Sequence, residues 1–205
     1  MDMAFEGVIK KFVLSSAGFT HVLTSVRPEQ WSWPTPCADW SVRALVNHVT
    51  RGNINYAGLL RGGTAVDFLR LRDVDALGSD PVAAFIKSAH ECAEAFAEPG
   101  ALRRFLDYPL GRATAGQLLA VRTTDTVVHT WDLARATRVD EVLNNALVSW
   151  INKDLSTIYA GLAETPVAEE STHRFFAAAR SPMGDVSEQD RLLLRMGRRP
   201  DLPTS

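Results

Sequence analysis

The longest uninterrupted helical pattern in the chain runs from Thr114 to about Ala136, and it carries polar side chains along a side flanked by core-type residues. Thr114-Ala115-Gly116-Gln117 reads as a capping box that opens it. A helix turns about 100° per residue, so Leu118, Arg122, Asp125, His129, Asp132 and Ala136 fall along one side. Ala115, Thr126 and Leu133 flank that row. A helix of this kind calls for neighbouring helices that bury its flanks and offer partners to its polar groups. Asp125 and His129 are an i, i+4 pair whose side chains point to one place, with Arg122 and Asp132 one row away. That spacing lets two residues hold one metal ion, although an isolated acid–histidine pair is more often an exposed helix pair. A third ligand from another helix is needed to decide between these readings.

The rest of the chain is organised in the same way. Phe5, Val8, Ile9, Phe12, Phe19, Val22 and Val26 predict a first helix over about 5–26, stopped by Pro28. Pro34 and Pro36 keep the Trp31–Cys37 segment out of a helix, and its tryptophans predict a lid or brace pinned to the bundle. A second helix begins near Asp39 or Ser41 and reaches about Leu60, with Val42, Leu45, Val49, Tyr56 and Leu60 as its apolar stripe. His48 sits at the edge of that stripe, and Gly52 and Asn55 continue its row. A histidine there is commonly half-buried with one hydrogen bond, yet the margin is also where a bundle ligand projects inward.

Gly62-Gly63 breaks the pattern, and the segment to Ser79 is expected to be a loop with at most a short helical turn. Asp80-Pro81 opens a third helix that buries Val82, Phe85, Ala89, Cys92 and Phe96 and ends at Pro99-Gly100, with His90 on the solvated face. Residues 101–113 read as a connection. Asp140 is expected to cap a fifth helix bearing Leu143, Leu147, Trp150, Ile151 and Ile158. Beyond it lies an extended segment that lays Phe175-Phe176 on the bundle. A short last helix opens at Ser187 and stops at Gly197.

Long amphipathic helices with no clear strand predict an all-α domain, a four-helix bundle with extra short helices and an extended C-terminal tail. Residues 1–163 would form the bundle, and residues 164–205 a tail and short helix packed on it within one domain. With 22 basic and 24 acidic residues and no run of either sign, neither a nucleic-acid nor a membrane partner is indicated, which leaves a small molecule. No apolar run approaches the roughly 18 residues of a membrane span, and the N-terminus lacks a signal-type segment, so the expected location is cytoplasmic. Cys37 and Cys92 have no C-x-x-C partner and are expected to be free thiols, Cys92 as a core filler. A monomer or homodimer fits, with the tryptophan segment bracing its own bundle or a second subunit.

If the second helix faces the Thr114 helix, His48 meets Asp125 and His129. Two histidines and one carboxylate leave a coordination position open, the arrangement of a catalytic rather than a structural site. Zinc, nickel and iron(II) all accept it.

Pro36-Cys37-Ala38-Asp39-Trp40-Ser41-Val42-Arg43-Ala44-Leu45-Val46-Asn47-His48, then Asp125 through Arg135, then Gln189-Asp190-Arg191-Leu192-Leu193-Leu194 with Gly197-Arg198, resemble the actinobacterial metal-binding family related to the N-terminal domain of mycothiol-dependent maleylpyruvate isomerase. The resemblance implies a DinB-like four-helix bundle holding a divalent metal, usually zinc, through His48, Asp125 and His129. It also implies mycothiol as co-substrate, with the thiol sulfur taking the open metal position and then attacking an electrophile in a transferase- or isomerase-like reaction. Two departures set the chain apart from the isomerase itself: Asp125 stands where that pattern has Glu, and no second domain of the isomerase kind is expected after the bundle.

In this scheme Asp132 would orient His129 or Arg135, and Arg122 would pair with Asp125 or meet a substrate carboxylate. Asn55 would be a further supporting or substrate contact. Two rival readings keep the metal but change its use. One is a hydrolase with a metal-bound water and Asp132 as the base; the other is a bundle that the ion stabilises without catalysis.

Overall fold

The structure, a computed structural model, describes residues 5–162 and 186–200. In chain order the elements are α1 (Val8–Leu23), α2 (Val42–Leu60), α3 (Ala65–Leu71), α4 (Pro81–Ala97), β1 (Phe105–Tyr108), β2 (Gly111–Thr114), α5 (Ala115–Thr137), α6 (Asn145–Ile158) and α7 (Glu188–Arg195). Helices α1, α2, α4 and α5 form the bundle, α1 and α2 each lying against both α4 and α5. The architecture is the all-α, DinB-like four-helix bundle, with shorter helices added around it.

Helix α5 is enclosed on every side. Every residue from Ala115 to Thr137 except Gln117, Asp125 and Arg135 is buried. One side of it packs with α1, α2 and α4 through residues such as Leu118, Leu119 and Leu133. Its other side, carrying Val127, Val128 and Trp131, is covered by Leu147 and Ile151 of α6 and Leu192 and Leu193 of α7. Full burial of one such apolar side chain is worth about 1.5–3 kcal/mol, so this double coat holds the polar row rigidly inside the protein.

Local chemistry accounts for most helix ends. Ser41 accepts from Ala44 N, Asp80 accepts from Ala83 N ahead of Pro81, and Ser187 accepts from Asp190 N, as their sequence positions predict. The Thr114 cap is made, but it is not a reciprocal box. Gln117 sends its amide to Ile158 O and Ala160 O, tying α5 to the end of α6. The cap of α6 is Asn144, which accepts from Ala146 N and Leu147 N; Asp140 instead closes a turn by accepting from Val142 N. Helix α1 is shorter than expected at both ends, and Pro28 opens a 3-10 turn over Pro28–Ser32.

Two segments are more regular than expected. Residues 65–71 make a capped helix, with Thr64 and Asp67 bonding reciprocally. The segment read as a connection contains an antiparallel hairpin, Phe105 facing Thr114 and Tyr108 facing Gly111. Its strands are only four residues long, and Gly111 takes a φ of 128° at the turn. The tryptophan segment does brace its own bundle, with Trp31, Trp33 and Trp40 against the core of α1, α2 and α4. Cys37 and Cys92 are free thiols, and Cys92 is wholly buried. The Phe175-Phe176 segment lies outside the described residues. Among these residues no helix is long and apolar enough to cross a membrane.

Candidate metal centre

Helix α2 runs beside α5 and aims His48 at the middle of the polar row. His48 Nε2 lies 3.5 Å from Asp125 Oδ2, and His129 Nε2 lies 3.3 Å from Asp125 Oδ1. These separations are long for N–H···O hydrogen bonds, which cluster near about 2.9 Å. Each is close to the roughly 3.4 Å that separates two ligands about 2.1 Å from a common ion, the two imidazoles meeting different oxygens of Asp125. One donor atom from each of the three residues lies within 4.8 Å of the others. The chemistry of the set, two imidazole nitrogens and a carboxylate oxygen, suits zinc and its neighbours. The side chains of His48 and Asp125 are 28% and 16% exposed, so the cluster is reachable from one side. Trp40 packs beside both imidazoles, with its ring centroid 4.7 Å from His48 and 5.9 Å from His129.

The carboxylate is fixed from behind. Arg122, 2% exposed, donates Nη1 to Asp125 Oδ2 at 2.7 Å, Nε to Asn53 Oδ1 at 3.0 Å and Nη2 to Val49 O at 3.1 Å. Arg122 therefore pairs with Asp125 and bridges to α2. Asn55 does not join this network. It donates to Phe68 O within α3, and the residue that reaches Arg122 is Asn53, which also donates to Ser88 Oγ.

His129 is held on its other nitrogen. Nδ1 lies 2.9 Å from Asp132 Oδ2, and Asp132 is wholly buried. Arg198, just after α7, donates Nη2 and Nε to the two oxygens of Asp132 at 2.7 and 3.2 Å. Cys37 Sγ stands 3.3 Å from Asp132 Oδ2 and 3.8 Å from His129 Nδ1. Cys37, His129 and Asp132 thus form a second group with metal-ligand atoms in reach of each other. Arg198 already places a guanidinium against both Asp132 and Cys37, the latter at 3.6 Å, so a second cation there would meet a fixed positive charge.

The titration of these groups follows from their neighbours. Burial pulls the His48 imidazole below the usual histidine value, against the attraction of Asp125. Burial would lower His129 as well, but Asp125 and Asp132 on its two nitrogens outweigh it and hold this imidazole well above the usual value. Burial acts to raise the carboxyl of Asp125, yet His129, Arg122 and His48 keep it well below the carboxylate range. Asp132 is likewise held low, by Arg198 and His129 against its burial. Without a cation, the proton on His129 occupies the place of positive charge between two carboxylates.

A four-helix bundle with two histidines and one carboxylate gathered between neighbouring helices defines a class of helical-bundle proteins with a candidate metal centre. Within that class the chain belongs to the mycothiol maleylpyruvate isomerase N-terminal domain family, whose sequence model matches residues 14–134. Two uncharacterized proteins of Mycobacterium tuberculosis, from its CDC 1551 and H37Rv strains, are each 34% identical to the chain over 119 residues. That match covers 58% of this chain and 61% of each relative, so more than a third of each relative lies outside it. Among solved structures, the crystal structure of the mycothiol-dependent maleylpyruvate isomerase shares the fold. Its TM-score is 0.59 at 13% identity, over 76% of this chain and 72% of that one.

Sequence reasoning missed four residues at this site: Cys37, Trp40, Asn53 and Arg198. Cys37, Trp40 and Arg198 fall inside the stretches that carried the family resemblance, so a signal for them was present. Asn53 had none, because it sits one turn beyond Val49 on a face that reads as core.

Proposed function

We propose that the chain binds one divalent cation through His48, Asp125 and His129 and uses it to activate a low-molecular-weight thiol of the mycothiol kind for attack on an electrophilic small molecule. The observation that carries this reading is the convergence of three donors from α2 and α5, with Asp125 3.5 Å from His48 and 3.3 Å from His129 and one donor atom of each within 4.8 Å of the others, in a chain of this family. A bound divalent cation lowers the pKa of a thiol that takes its open position, making a nucleophile near neutral pH. Zinc is the proposed metal, with nickel and iron(II) compatible with the same donors.

The protein's own groups favour a thiolate partner. Arg122 neutralises Asp125 and Arg198 neutralises Asp132, so the charge of a cation held here is left for an anionic ligand to balance. Trp40 places an apolar ring against both imidazoles. The same geometry counts against a hydrolase. Asp132, the base such an enzyme would use, is wholly buried and committed to Arg198 and His129.

The test is titration of the zinc-loaded protein with mycothiol, followed by calorimetry, beside His48→Ala. Saturable binding that is lost in the variant supports the reading. Equal affinity in both proteins would refute thiol capture at this site.

A further inference from the structure

Asp132 is met by three side chains at four contacts. His129 Nδ1 is at 2.9 Å and Arg198 Nη2 at 2.7 Å from Oδ2, the Cys37 thiol is 3.3 Å from the same oxygen, and Arg198 Nε is 3.2 Å from Oδ1. An ionised carboxylate only accepts, so all of these contacts draw on its charge, three of them at Oδ2 and one at Oδ1. The nearer carboxylate is at Nδ1, 2.9 Å against 3.3 Å at Nε2, so the tautomer that donates Nδ1–H to Asp132 is the one that leaves the Nε2 lone pair for a ligand role beside Asp125.

That tautomer depends on what holds the carboxylate, and Arg198 supplies half of its contacts. Asp132 is 0% exposed, so without the guanidinium it would be a buried charge short of partners, free to rotate toward Cys37 or to take up a proton. Arg198 is itself aimed by local structure. Gly197 leaves α7 with φ 78°, which turns the chain back, and Arg198 Nη1 donates to Met196 O at 2.7 Å. Beyond it, Arg135 of α5 grips the chain by donating to Arg199 O and Pro200 O, with its guanidinium 4.3 Å from the centre of the Trp131 ring. Residues 197–200 are thereby fastened to α5 at two points beside His129.

We infer that Arg198 is a positioning residue of the metal centre: by clamping the Asp132 carboxylate it fixes His129 in the tautomer that offers Nε2 to the cation. The segment after α7 thus completes a site whose ligands all lie on α2 and α5. This rests on the metal-binding reading above.

The test compares wild type with Arg198→Ala and Arg198→Lys by two measurements. One is the zinc dissociation constant from competition with a chromophoric chelator; the other is the long-range proton–nitrogen NMR spectrum of the His129 ring in the metal-free protein, above its titration. Arg198→Ala is expected to weaken zinc binding about 10–100-fold, and to replace the Nδ1–H pattern with a tautomer mixture. Arg198→Lys, which returns one charge and no fork, should recover part of both. A lower melting temperature with unchanged zinc affinity and an intact Nδ1–H pattern would overturn the inference, because that is what a purely structural clamp gives. If wild type bound no zinc, the metal reading would fall, whereas the NMR comparison would still decide the role of Arg198.

Discussion

The Arg122 guanidinium occupies the space that a side chain at residue 52 would need: a Cβ built on Gly52 falls 2.3 Å from Nη1 and 2.8 Å from Cζ. The glycine lets a buried arginine lie against the backbone of α2, where it reaches Val49 O and Asn53 while gripping Asp125. One side chain thus joins two helices of the bundle and fixes the carboxylate of the site.

Gly52→Ala should therefore push the guanidinium away and cost about 1–3 kcal/mol of stability, the range for overpacking a core. Gly58, on the same helix with nothing within 4 Å of its added Cβ, is the control. Gly58→Ala should stabilise by about 0.5–1 kcal/mol. Urea unfolding of both variants measures this, and equal effects would show that Arg122 does not depend on that space.

Asn53 and Asn55 should separate cleanly. Asn53→Ala leaves a buried Arg122 N–H without its acceptor, at about 1–3 kcal/mol, and should weaken zinc binding because Arg122 orients Asp125. Asn55→Ala removes a bond to Phe68 O away from the site and should leave zinc affinity unchanged. Chelator competition on the two variants gives the comparison. A larger loss in Asn55→Ala would mean that the second asparagine, not the first, supports the centre.

Metal uptake should depend on pH through His129. Its imidazole is held well above the usual value in the metal-free protein, so near neutrality a proton must leave before the cation binds. Affinity is expected to rise with pH through that raised value and to fall on acidification, with about one proton released on binding near neutral pH. The same shift stabilises the metal-free fold. That contribution is fully present below the unfolded histidine value of about 6.5 and is lost as pH rises through the folded value. Calorimetry in buffers of different ionisation enthalpy counts the proton, and uptake without proton release would contradict the assignment.

The sequence carried the bundle because its helices repeat at helical spacing and end at chemically plain signals such as Ser41, Asp80-Pro81 and Ser187. It did not carry the β1–β2 hairpin, where four-residue strands are too short for an alternation to stand out. The cap of α6 was misplaced because Asp140 and Asn144 are both good capping residues, and only the backbone at Asn144 enters a helix. At the site, His48, Asp125 and His129 were legible as residue types at helical spacing. The choice of Asn53 over Asn55 depends on the rotation of α2 against α5, and the role of Arg198 on how the end of α7 docks. Both are set by packing between elements distant in sequence.

The most direct test of the central claim is metal analysis of the purified, zinc-equilibrated protein beside His48→Ala, Asp125→Asn and His129→Ala, with circular dichroism to confirm that each variant is folded. Three donors on one ion predict about one zinc per chain in wild type and its loss in every variant. A folded wild type that retains no zinc, or a variant that keeps it stoichiometrically, would contradict the site.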